Sequence, residues 1–212
     1  MGKRMDTGKR LLALQWAQKR HDELYHKDIV LLSVADRMKH MALHFAKYVG
    51  DTADALDKHD AERLHRILVD AFVISLVSAN TLNIDLGKEL STEQSEADLS
   101  LKALGLELWK TTQQPGVDDT RFHRKFAYHT GRLAKACESV DHLEAYPFRE
   151  SMKEQVVALF RLFLAEAAIR QLDLDERTSD RLRKVEAGSI FDELYRTAED
   201  ADGILERRNP PQ

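Results

Sequence analysis

Asp36, His40 and His44 stand at i, i+4 and i+8, a spacing that puts all three on one face of a helix. Asp70, on the next long helix, can approach the same groove. Together they form a mixed carboxylate and imidazole set, which suits manganese, iron or zinc better than magnesium. These four are the candidate metal ligands, and Asp36, His40 and Asp70 are the candidate catalytic residues, acting on a metal-activated water. Asp70 stands out for a second reason. It interrupts residues 68–86 (LVDAFVISLVSANTLNIDL), and a carboxylate on a helix apolar nearly all round needs a cation, a hydrogen-bond donor or a wet cleft. The alternative for His40 and His44 is an ordinary hydrogen-bonded or solvated pair.

Other chemistries have less behind them. Glu23-His26 and Glu62-His65 share the Glu-x-x-His spacing of di-iron carboxylate bundles, but the further inward glutamates of such a site are not evident. His59-Asp60 is a bare dipeptide that reads as a solvated connector. No glycine-rich phosphate loop or nucleophile elbow occurs, and Cys137 lacks a recognisable partner. The run Arg181-Leu182-Arg183-Lys184 reads as a solvated helix face whose cations can meet phosphate.

The elements that must position these residues are helices. Only nine Gly and four Pro occur in 212 residues, and 43% hydrophobic residues suffice for a core, so the pattern predicts an all-α helical bundle. Both signs of charge are spread along the chain at a net −4, so no nucleic-acid polymer is expected as a partner. A single cysteine excludes a disulfide framework and a thiolate zinc cluster and fits a reducing compartment. Neither a signal peptide nor a membrane span is read, so the expectation is a soluble cytoplasmic protein without a membrane partner. Periodicity predicts helices over 10–25, anchored by Trp16, over 28–49, stopped by Gly50-Asp51, and over 61–83, the central one. Others are predicted over 98–110, 120–140, 147–172 and 175–198. TTQQPGVDD (111–119) reads as a linker, and residues 201–212 as a flexible tail.

The chain also repeats. Asn83-Ile84-Asp85-Leu86 corresponds to Gln171-Leu172-Asp173-Leu174, an offset of 88 residues from Leu86 to Leu174, with Ala79 and Ala167 matching ahead of them. SANTLNIDLGKEL and LVDAF in the first half, and KFAYHTGRLAKA (125–136) and LDLDERTSDRLRKVE in the second, resemble the MazG-like all-α nucleoside triphosphate pyrophosphohydrolases. The resemblance is to KLxEExGELAKA on one helix, then EELxDVL and a long apolar helix ending ANxLGIDL.

The resemblance implies two tandem units, 1–112 and a degenerate 120–200, packed as one bundle around Phe72, Leu76, Phe160 and Leu164. It also implies a divalent cofactor, magnesium or manganese, held by E-x-x-E and E-x-x-D carboxylates against a nucleotide's triphosphate. Carried over, the pattern puts Asp36, Arg37 and His40 at the acidic places of the first helix, with Ile67 and Asp70 on the second. In the second unit Tyr128, His129, Arg132 and Ala158 stand at these places, with Glu154 the one acid nearby. Asn80 matches the family asparagine and is the candidate nucleotide contact, the alternative being a hydrogen-bonded amide inside the bundle. Two functions follow: a divergent metal-dependent nucleoside triphosphate pyrophosphohydrolase, or a catalytically silent relative that binds a nucleotide or a protein partner. A homodimer is left open.

Overall fold

The structure is a computed structural model that describes residues 7–90, 99–112 and 116–196. All secondary structure among these residues is helical: α1 (Thr7–Tyr25), α2 (Lys27–Val30), α3 (Val34–Asp57), α4 (Ala61–Thr81), α5 (Leu86–Leu90), α6 (Leu101–Thr111), α7 (Asp119–Asp141), α8 (Phe148–Ile169), α9 (Leu174–Glu186) and α10 (Asp192–Arg196). The protein is an all-α bundle.

Local chemistry sets the helix limits. Ser33, Asp60, Ser100, Asp118 and Asp173 cap α3, α4, α6, α7 and α9, each side chain accepting a hydrogen bond from the amide three residues on. At the other ends, His59, Asn83, Leu143 and Gln171 adopt φ of 51–58°. The amides of Asp60, Ile84, Glu144 and Leu172 then reach back to the carbonyls of Ala55, Ala79, Ser139 and Ala167, which satisfies the orphan helix carbonyls. The pair α3–α4 and the pair α7–α8 thus close with the same two backbone turns.

The two hairpins share one core. α3 packs on α7 and α4 on α8. Phe45 meets Phe126 edge to face at 6.2 Å, and Phe72 stacks on Phe160 at 5.2 Å. Each pair joins corresponding positions of the two hairpins, as a two-fold-like arrangement requires. Leu76 and Leu164 are buried with them. α6 lies across α8, while α1 covers α4 and α5. α4 is long and apolar enough by length and composition to cross a membrane, but 61% of its apolar window is buried inside the bundle, where it is the core helix.

Three sequence expectations need correction. Gly50 does not stop α3: Phe45, Tyr48, Thr52 and Ala55 hold the helix on the core past it, and the chain turns only at Lys58-His59. The predicted helix over 28–49 is instead broken after α2, where Ser33 starts α3 afresh. Trp16 does not anchor α1. It is 57% exposed under the Lys19 ammonium, while Leu11, Gln15, Gln18 and His21 form the buried face. Residues 113–115 of the linker and the tail at 201–212 lie outside the described residues.

Candidate functional site

α1, α3, α4 and α9 line a partly open cavity of about 180 Å³. From α1 come Gln18, His21 and Asp22, from the α1–α2 junction His26, from α3 His40, His44 and Tyr48, from α4 Asp70, and from α9 Arg181. The structure therefore brings three of the predicted ligands, His40, His44 and Asp70, to one space. The Nε2 atoms of His40 and His44 share a 3.0 Å hydrogen bond, and their rings meet edge to face. Burial, then the neighbouring His40 and Lys47, lower the His44 imidazole to about 4 against the opposing pull of Asp70, so it is neutral near pH 7.

Asp36 is not among them. It occupies the first turn of α3, where it accepts from the Ser33 hydroxyl at 2.7 Å and faces Lys39 in solvent, and the Ser33 bond lowers its pKa. Hairpin geometry explains the separation. Residues equidistant from the α3–α4 turn face each other, which pairs Asp70 with the level of Tyr48, about 18 Å along the helix from Asp36 at 1.5 Å per residue. Asn80 is held by Gln15: its side-chain amide donates to the Gln15 carbonyl at 2.8 Å and its Oδ1 accepts from Gln15 Nε2 at 3.0 Å. The two Glu-x-x-His pairs do not converge. Glu23 pairs with Lys19 and His26 lines the cavity, while Glu62 and His65 line a separate groove. His59-Asp60 is a turn and a helix cap. Burial pushes the Cys137 thiol up to about 11, which leaves it inert.

The groove opens on the far side of Tyr48, Asp70 and Arg181, which it shares with the cavity. Its volume is about 630 Å³. Lys47, Arg63, Arg66, Arg177, Arg181 and Lys184 line it against Asp51, Glu62, Asp70 and Asp180. Two of these carboxylates are already neutralised: Arg181 Nε donates to Asp70 Oδ1 at 2.5 Å, and Arg63 Nη2 to Asp51 Oδ1 at 3.0 Å. Among the described residues Arg66, Arg177 and Lys184 make no ion pair.

Magnesium needs several unencumbered oxygen ligands in near-octahedral array. Asp51 and Asp70 are each tied to an arginine, and Tyr48 and Ile67 stand beside them, so Asp51 and Asp70 do not by themselves offer magnesium that array; Glu62 and Asp180 are the other carboxylates of the groove.

Sequence reasoning missed His21 and Asp22 and weighed His26 only with Glu23; the ligand atoms of His21, Asp22 and His26 lie within 4.8 Å of one another. The signal was present. Gln15, Gln18 and His21 recur every three residues on α1, a polar stripe where a buried face should be apolar. No known protein family, curated protein or solved structure matches the chain.

Proposed function

We propose that the protein is a MazG-like nucleotide-binding protein whose phosphate site is the groove between α3, α4 and α9, and that it binds without magnesium-dependent turnover. The observation that carries this reading is the charge arrangement: arginines neutralise Asp51 and Asp70, while Arg66, Arg177 and Lys184 remain unpaired among the described residues. Such a groove attracts a polyanion, and guanidinium forks match phosphate oxygens in pairs. The resemblance in SANTLNIDLGKEL and KFAYHTGRLAKA supports a nucleotide as the source of that polyanion.

The test incubates the protein with a panel of canonical and modified nucleoside triphosphates plus magnesium or manganese, following thermal shift and pyrophosphate release together. A stabilising shift without release is expected. Arg66→Ala and Arg177→Ala should each weaken binding about tenfold or more, the worth of a charge-assisted hydrogen bond. Pyrophosphate release that disappears in Asp70→Ala would replace this reading with the hydrolase. No shift with any nucleotide would end it.

A further inference from the structure

We infer that His21, Asp22 and His26 form a binding site for a divalent transition-metal ion of the zinc class. The argument starts from unmet hydrogen-bonding capacity. Gln18 Oε1, both ring nitrogens of His21 and Nδ1 of His44 are buried without a hydrogen-bond partner, and all four belong to residues that line the same 180 Å³ cavity. His21 is only 5% exposed. Buried polar atoms are ordinarily satisfied, so four orphans around one small space mark a place built to hold something.

The geometry narrows what that is. His21 Nδ1 stands 3.6 Å from Asp22 Oδ1, too far for a hydrogen bond, while Gln18 Nε2 donates to that same carboxylate oxygen at 2.9 Å. Gln18 thereby orients Asp22, the kind of support that metal-ligating carboxylates receive. Tetrahedral bonds of about 2.0–2.2 Å place ligand atoms about 3.3–3.6 Å apart, so His21 Nδ1 and Asp22 Oδ1 already stand at nearly the required separation, and atoms within 4.8 Å of one another need draw in by about 1.5 Å at most, within reach of side-chain rotation. Two imidazoles and one carboxylate are borderline donors, which favour zinc or its first-row neighbours over magnesium or calcium. The rest of the cavity, with His40 and His44 on its α3 side, leaves a position for a fourth ligand. This inference does not depend on the nucleotide reading, whose residues lie in the adjoining groove.

The experiment uses the full chain, tag removed and stripped with chelator, titrated with cobalt(II) and zinc(II). One equivalent should bind. Asp22→Asn and His26→Gln, at partly exposed positions where the fold should survive, should each weaken binding by more than about 100-fold, the upper end of the cost of losing a supporting residue. Arg66→Ala in the groove should leave metal affinity unchanged. X-ray absorption at the zinc edge of the wild-type protein, which needs no variant, should show at least two imidazoles. Zinc without imidazole scattering, affinity unchanged in His26→Gln, or no binding above a His21/Asp22/His26 triple variant would each overturn the site and assign the cavity to water.

Discussion

The two hairpins share their turns and their core, and differ in what they do with polar side chains. In α3–α4, Tyr48 and Asp70 stand between an open cationic groove and a cavity with unsatisfied nitrogens. In α7–α8 the corresponding polar side chains bond to one another. His129 donates from Nδ1 to Gln155 Oε1 at 2.8 Å, Arg132 reaches the Tyr146 hydroxyl, and Ala158 replaces the aspartate. α6 then lies directly on α8, where Gly105 lets the backbones approach: a Cβ on it would fall 2.4 Å from the Leu164 carbonyl oxygen. His129 and Ala158 still line a pocket of about 220 Å³, so the halves differ in how their polar groups are tied and not in whether a pocket remains.

The largest effect should come from breaking the contact between the halves. Phe160→Ala removes the ring stacked on Phe72 and should cost about 3–5 kcal/mol in denaturant unfolding, with both hairpins lost together. Separate transitions would show that the halves do not share one cooperative core.

Next comes Glu166, buried on α8 beside Arg170 at 3.2 Å. Burial pushes its carboxyl up to about 7, with Arg170 and Arg121 opposing the shift. Because the folded value lies above the ordinary 4.5, its contribution to stability is fully present below about 4.5 and is lost as pH rises through about 7. The loss amounts to at most about 3 kcal/mol. Melting temperatures between pH 4.5 and 8 should decline in the wild type and flatten in Glu166→Gln; parallel curves would show that Glu166 is ionised throughout.

Gly105→Ala should then cost about 1–3 kcal/mol, since the obstacles are the Leu164 carbonyl and the Ala168 Cβ, neither of which can swing away. Nucleotide binding should persist at temperatures where the variant is folded. The smallest change is expected for Asn80→Ala. Two hydrogen bonds to Gln15 are lost, about 1–2 kcal/mol in all, with nucleotide affinity unchanged. A selective loss of affinity would return Asn80 to the ligand.

The all-helical class and the repeated turn were legible in the sequence, because breakers are few and Asn83-Ile84-Asp85-Leu86 has its counterpart in Gln171-Leu172-Asp173-Leu174, each of which the structure heads with a left-handed residue. Placement of the site along α3 was not. The segment HFAKYVGDTADA (44–55) coincides with KFAYHTGRLAKA (125–136) at five of twelve positions, and the structure sets Phe45 of the one against Phe126 of the other. In that register the acidic places that the resemblance implies would fall on Lys47, Tyr48 and Asp51, eleven residues beyond Asp36, Arg37 and His40. Eleven residues are three helical turns, so both registers present the same face and periodicity cannot tell them apart. Distance from the turn does tell them apart, and it requires α3 to continue through Gly50. The α1 cluster escaped for a different reason: it depends on which face of α1 meets the bundle, and Trp16, read as the anchor, suggested the wrong one.

The way α1 is attached also sets the order in which the molecule opens. Of its five buried residues only Leu11 is apolar. The helix is fastened largely by hydrogen bonds, with Gln15 bridging Asn80, the Ile84 carbonyl and the Leu86 amide, and Thr7 taking the Leu99 amide. Such bonds contribute about 0.5–1.5 kcal/mol each, since water replaces them on release, whereas parting α4 from α8 exposes stacked rings. The amides of α1 should therefore exchange with solvent well before those of α4 and α8, in a partial opening that leaves the four-helix core intact. An ion held by His21, Asp22 and His26 would slow that first opening and leave the later ones untouched.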